Sequence, residues 1–125
     1  MSKVAVIQES PVFLNREETI NKAIAYIEQA ASAGAQLIVF PEAYISAYPA
    51  WIWRLRPGGD WGLSEELHAR LLENAVDIDA GNLQPLCDAA KDNAVTIVCG
   101  MNEIDGKLSK ATLYNTDVII DDKGN

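Results

Sequence analysis

The clearest candidate for chemistry in this chain is one carboxylate. Glu42 follows the apolar run Leu37 to Phe40 and the proline Pro41. A run of that kind reads as a buried strand. Pro41 has no N–H to donate to a sheet ladder and helps to end the strand. The backbone at Glu42 is therefore anchored by the strand yet free of pairing. In parallel α/β sheets, functional groups gather beyond the carboxyl ends of the strands. A glutamate placed there, partly desolvated and with a raised pKa, suits a general base. The competing reading is an exposed strand-end glutamate with no role.

Other reactive side chains compare poorly with it. Cys87, in "LQPLCDAA", falls on a helix face with Leu83 and Ala90, which reads as core. Cys99 lies inside an apolar strand and is expected to be buried and inert. The two cysteines form neither a disulfide framework nor zinc-ligand spacing with His68. His68, near Glu65 and Leu72, reads as a surface or helix-packing residue. Lys107, Lys110 and Lys123 occupy hairpin or turn positions, where solvated charge is expected. Gly58-Gly59 lacks the following Lys-Ser/Thr of a phosphate loop. Tyr44, Tyr48, Trp51 and Trp53 lie just past Glu42, as pocket wall or as core and interface aromatics. Glu103 ends a later strand and is expected near Glu42, with Tyr114 and Asn115 supporting the same end of the sheet.

These residues need a scaffold, and the hydrophobic pattern supplies one. Val4 to Gln8 reads as a strand. Asn15 is a candidate N-cap, with Glu17 and Glu18 near the positive end of the helix dipole. Ile20, Ala23, Ile24, Ile27, Ala30 and Ala31 recur at helical spacing, and Gly34 closes that helix. Gln36 to Phe40 is the next strand, completing a βαβ unit of a parallel sheet. A helix is expected from Ser64 to about Ala75, and another capped by Asn82 with Leu86, Ala89, Ala90 and Ala94 on one face. Val95 to Met101 reads as a central strand. Asp105-Gly106 marks a turn. Thr112 to Asp121 follows as a strand with Tyr114, Thr116, Val118 and Ile120 on one face. Trp53 to Gly62, containing Pro57-Gly58-Gly59-Asp60, is expected to be a surface loop near the site.

The chain has 125 residues, 49% hydrophobic and 22% charged, and a formal net charge of −8. That composition is globular. The negative balance argues against nucleic-acid binding and is consistent with solubility. No apolar run approaches the ~18 residues that would indicate a membrane span. Met1-Ser2-Lys3 leads straight into a strand rather than a signal peptide, and two unpaired thiols fit a cytoplasmic protein. The sequence stops on the turn Asp122 to Asn125, which suggests the front part of a longer protein.

"LIVFPEAYISAYP", with "VAVIQ" before it and "VTIVCGMNE" and "LYNTDVIIDDKGN" after it, resembles the nitrilase superfamily of carbon–nitrogen hydrolases. The ordered series covers essentially the whole chain. Ser46-Ala47-Tyr48-Pro49 and Gly100-Met101-Asn102-Glu103 look more like the nitrilase branch than the amidase or carbamoylase branches. The resemblance implies an α/β fold, an αββα sandwich of which residues 1–125 form the N-terminal part of one domain. It implies a Glu-Lys-Cys triad that hydrolyses a nitrile to the carboxylic acid and ammonia, with Glu42 as base. The lysine and the nucleophilic cysteine are expected beyond Asn125, which leaves this chain alone inactive. Tyr48, Trp51 and Glu103 would line the substrate pocket. No metal or organic cofactor is implied. The expected partners are a small nitrile or amide and further copies in a homo-oligomer, with no nucleic acid and no membrane. The rivals are an amidase or carbamoylase with the same triad, a non-catalytic fragment or interaction module, and a receiver-like domain. The last accepts phosphate on Asp, which Pro41-Glu42 does not match.

Overall fold

Short β-branched runs build one sheet from β1 (Val4–Val6), β2 (Leu37–Val39), β3 (Thr96–Ile104) and β4 (Leu113–Ile120), in the order β1-β2-β3-β4. The computed structural model describes residues 2–109 and 111–125, so Met1 and the turn reading for Lys110 lie outside the described residues. β1, β2 and β3 run parallel, and β4 returns antiparallel to β3. The parallel pairs need long crossovers. Helix α1 (Arg16–Ser32) supplies the first, and α2 (Trp61–Glu73) with α3 (Gln84–Asn93) the second.

α1 begins and ends where its capping residues dictate. Asn15 Oδ1 accepts from the Glu18 N–H at 3.0 Å, and Glu17 and Glu18 occupy the first turn. At the other end Gly34 takes φ +87°. Its N–H donates to the Ala31 carbonyl and that of Ala35 to Ala30, a Schellman closure that only a left-handed residue completes cheaply. The other two helices depart from expectation at their starts. α2 begins at Trp61, three residues before Ser64, with Asp60 flanking it; the Asp60 carboxylate is taken by Arg56 at 3.1 Å and makes no cap. Asn82 does not cap α3 either: its Oδ1 accepts from the Asp77 N–H at 2.9 Å, and Leu83 holds the cap position. Ala94 turns into the left-handed region at φ 50° and leaves the helix face.

α1 and α3 pack on one face of the sheet. Ile27, Ile38, Leu86, Ile97, Cys99, Met101 and Ile120 are buried between them. Each such aliphatic side chain contributes about 1.5–3 kcal/mol by leaving water. Thr116, Val118 and Ile120 point to this face and Ile119 to the other, as alternation requires. That opposite face carries Val4, Val6 and Ile119 at 51%, 68% and 69% exposure. Trp51, Leu71 and Leu14 form a smaller cluster with Leu55, Leu67 and Leu113. No described helix is long and apolar enough to cross a membrane.

Candidate active site

β2 is interrupted by a four-residue excursion. The Phe40 N–H still donates to Val98 on β3 at 2.9 Å. Pro41 has no N–H to continue with. Pairing resumes at Ile45, whose N–H donates to the Gly100 carbonyl at 3.1 Å and whose carbonyl accepts from the Asn102 N–H at 3.3 Å. Residues 41–44 loop out between those points, and Glu42 rides on the loop. It leaves the carboxyl end of β2, an inner strand of the sheet.

The loop lies directly over Gly100. A Cβ there would sit 2.5 Å from the Pro41 carbonyl oxygen, 2.6 Å from the Ala43 nitrogen and 2.8 Å from the Glu42 Cα. Three residues of the segment adopt positive φ without being glycine: Ala43 at 47°, Ser46 at 78° and Ala47 at 77°. Each costs of order 1–3 kcal/mol and persists because neighbours hold it. Ser46 Oγ donates to the Asn74 carbonyl. Asn102, 6% exposed, donates from Nδ2 to the carbonyls of Ile45 at 3.2 Å and Ala47 at 2.9 Å.

The Glu42 side chain is exposed, in contrast to the expected partial desolvation. The loop lifts it off the sheet instead of tucking it against the core. Its Oε1 accepts from Asn115 Nδ2, on β4, at 2.6 Å. Beside Asn115 is a cavity of about 290 Å³ lined by Pro49, Trp51, Ile52, His68, Leu71, Asn102, Leu113, Tyr114 and Asn115. Trp51 is buried there, with Phe13 edge-on to its ring at 5.9 Å. The structure thus brings Glu42 together with Asn115 and, through it, with the cavity that Trp51 lines. Tyr48 is 44% exposed and is not among the lining residues. Tyr44 is core, its ring 5.0 Å from that of Phe40. Trp53 is 74% exposed.

Glu103 is not brought to Glu42. It lies three residues beyond Gly100, and so on the opposite face of β3. Its Oε2 accepts from Thr116 Oγ1 at 2.7 Å, on the sheet face that also carries Met101. His68, read from sequence as a surface or helix-packing residue, is exposed and borders the cavity. The residue that sequence reasoning passed over is Asn102. A buried amide between Met101 and Glu103, at the end of an apolar strand, was the available signal, because a buried amide needs partners. Lys107 pairs with Asp79 at 2.9 Å in the hairpin region. Among the described residues no group of three His, Cys, Asp or Glu side chains is placed to hold a metal ion.

Neither thiol has the environment of a nucleophile. Burial pushes Cys99 up to about 12, with Asp117 adding to the rise. Burial, then Asp88, raises Cys87 as well. Burial likewise lifts the Tyr44 hydroxyl to about 12. A group whose pKa is higher folded than unfolded holds its proton longer in the native state, so stability is full below the unfolded value and falls as pH rises through the folded one. The chemical-denaturation midpoint should therefore drop between pH 9 and 12, from the ordinary thiol value of 9.0 to the raised one. Cys99→Ala should flatten part of that drop. A midpoint constant across this window would contradict the burial of both groups.

The sequence profile described as carbon–nitrogen hydrolase matches residues 3–125. The chain is 40% identical over 121 residues to an arylacetonitrilase of Aspergillus oryzae, covering 94% of this chain and 34% of that protein. It is 36% identical over 122 residues to an aliphatic nitrilase of Rhodococcus rhodochrous, covering 98% and 31%. It thus spans about a third of the length of these curated relatives. A solved amidase of the nitrilase superfamily from Nesterenkonia AN1 superposes with a TM-score of 0.68 at 20% identity, over 99% of this chain and 40% of that one. That likeness gives the fold: this sheet with its helices is part of the nitrilase-type α/β architecture.

Proposed function

Because the chain belongs to the carbon–nitrogen hydrolase family, we propose that the whole protein hydrolyses a nitrile, R–C≡N plus two waters giving R–COOH plus ammonia, with Glu42 as the general base. The observation that supports this most is the placement of Glu42. An inner strand delivers it, Gly100 and Asn102 seat its loop, and Asn115, which holds its carboxylate, borders a cavity walled by Trp51, Ile52, Leu71 and Leu113. An uncharged nitrile calls for such apolar surroundings with a few placed polar groups.

In this reading residues 1–125 are the N-terminal part of a single hydrolase domain. The lysine and the nucleophilic cysteine come from elsewhere in the whole protein, since Cys87 and Cys99 are raised and not lowered in pKa. Glu42 takes the thiol proton as sulfur attacks the nitrile carbon, forming a thioimidate. Water then releases ammonia, and a second water hydrolyses the thioester. The lysine steadies the charge that develops during attack. The exposed face bearing Val4, Val6 and Ile119 is where the second sheet of the αββα sandwich would pack. Trp51 is the side chain best placed to contact substrate, while Tyr48 and Glu103 would contribute only through a rearrangement.

The test is ammonia release by the whole purified protein from phenylacetonitrile, an aliphatic nitrile and the matching amides. Nitrile turnover is expected, and it should survive Cys87→Ala and Cys99→Ala. Turnover of amides alone would move the protein to the amidase branch, and turnover of none would remove the enzymatic reading.

A further inference from the structure

Two amides opposite each other in the sheet hold the Glu42 carboxylate and the main chain just beyond its loop. Asn102 on β3 and Asn115 on β4 are register partners. Asn102 grips the main chain beyond Glu42, at the Ile45 and Ala47 carbonyls. Asn115 grips the carboxylate itself, at 2.6 Å. We propose that Asn115 is a positioning residue for Glu42, aiming its free oxygen Oε2 at the proton to be moved, while Asn102 fixes the loop that carries it. This rests on the reading of Glu42 as base.

The argument is one of freedom and charge. An exposed glutamate has a long, flexible side chain and samples several rotamers. A hydrogen bond to one carboxylate oxygen removes most of that freedom and leaves the other oxygen in a defined place. A neutral amide does this without pairing the carboxylate to a cation, whose charge would make it a poorer proton acceptor. Among the described residues the bond from Asn115 is the one side-chain hydrogen bond to the Glu42 carboxylate, and the neighbours Pro41 and Ala43 carry no polar side-chain atom. Loss of the amide should leave substrate binding intact and degrade the alignment at reaction, where a 1 Å misplacement can cost about 10²-fold.

A double-mutant cycle in the whole protein tests this, read as ammonia release from phenylacetonitrile and phenylacetamide. Asn115→Ala should lower kcat about 10- to 10²-fold with KM within about two-fold, at an unchanged melting temperature. Asn115→Asp, isosteric but without the donor, should lose at least as much, and it serves if the alanine variant folds poorly. Added to Glu42→Gln, Asn115→Ala should cost nothing more, because a residue that acts through Glu42 has no role once the base is gone. Equal costs of Asn115→Ala in the two backgrounds, or wild-type kcat for Asn115→Ala, would overturn the proposal. Full activity of Glu42→Gln alone, or no turnover by the parent, would instead remove the premise that Glu42 is the base.

Discussion

Glu42→Gln in the whole protein should lower nitrile turnover by about 10²–10⁴-fold, the range that loss of a general base typically costs, and should leave the melting transition where it was. Gln matches Glu in volume, and its amide oxygen can still accept from Asn115, so the hydrogen bond at 2.6 Å has a successor. What it lacks is a basic oxygen. The side chain is exposed on a loop seated by backbone contacts, so little packing depends on its charge. KM should change little, since the apolar wall of the cavity comes from Trp51, Ile52, Leu71 and Leu113. The measurement is steady-state ammonia release alongside thermal unfolding. A Gln variant that turns over nitriles near the parental rate would show that the base is another group.

Gly100→Ala should damage both stability and turnover. The added methyl group would meet the Pro41 oxygen, the Ala43 nitrogen and the Glu42 Cα at 2.5, 2.6 and 2.8 Å. All three are backbone atoms of one loop, so no side chain can swing aside. The loop must lift, straining the Ile45 N–H to Gly100 bond that restores pairing. Overpacking of this kind costs about 1–3 kcal/mol. Glu42 would rise with its loop and lose its register with Asn115, and a displacement near 1 Å can cost about 10²-fold in rate. Gly59→Ala is the control: its nearest neighbour is the flexible, exposed Arg56 side chain at 3.4 Å, and neither property should change appreciably. Denaturation midpoints and turnover for the two variants decide it. Parental values for Gly100→Ala would mean that the loop does not sit on this strand.

Much of this was legible in the sequence for a local reason. Asn15 and Gly34 mark the limits of α1 because capping is settled within a turn of chain. The β-branched runs identify β1 to β4 because side-chain alternation is a property of the strand itself. Pro41 ends the pairing of β2 by lacking an N–H, which places Glu42 at the strand's carboxyl end without any knowledge of its neighbours. Parity separates Glu103 from Glu42 only once the structure shows the Glu42 loop over Gly100, an odd number of residues from Glu103.

Only the tertiary structure decided the rest, because it depends on register between segments far apart in the chain. The return of the loop to β3 at Ile45 follows from which β3 carbonyl is free to accept its N–H. The junction of Asn115 with Glu42 spans 73 residues and needs the β3–β4 pairing that sets Asn102 opposite Asn115. The choice of Trp51 over Tyr48 as cavity wall follows from how the turn of 3₁₀ helix at Ala50–Trp53 packs against Leu71 and Leu14. The exposure of Glu42 follows from Gly100, whose missing side chain lets the loop cross the sheet face and hold the carboxylate clear of the core.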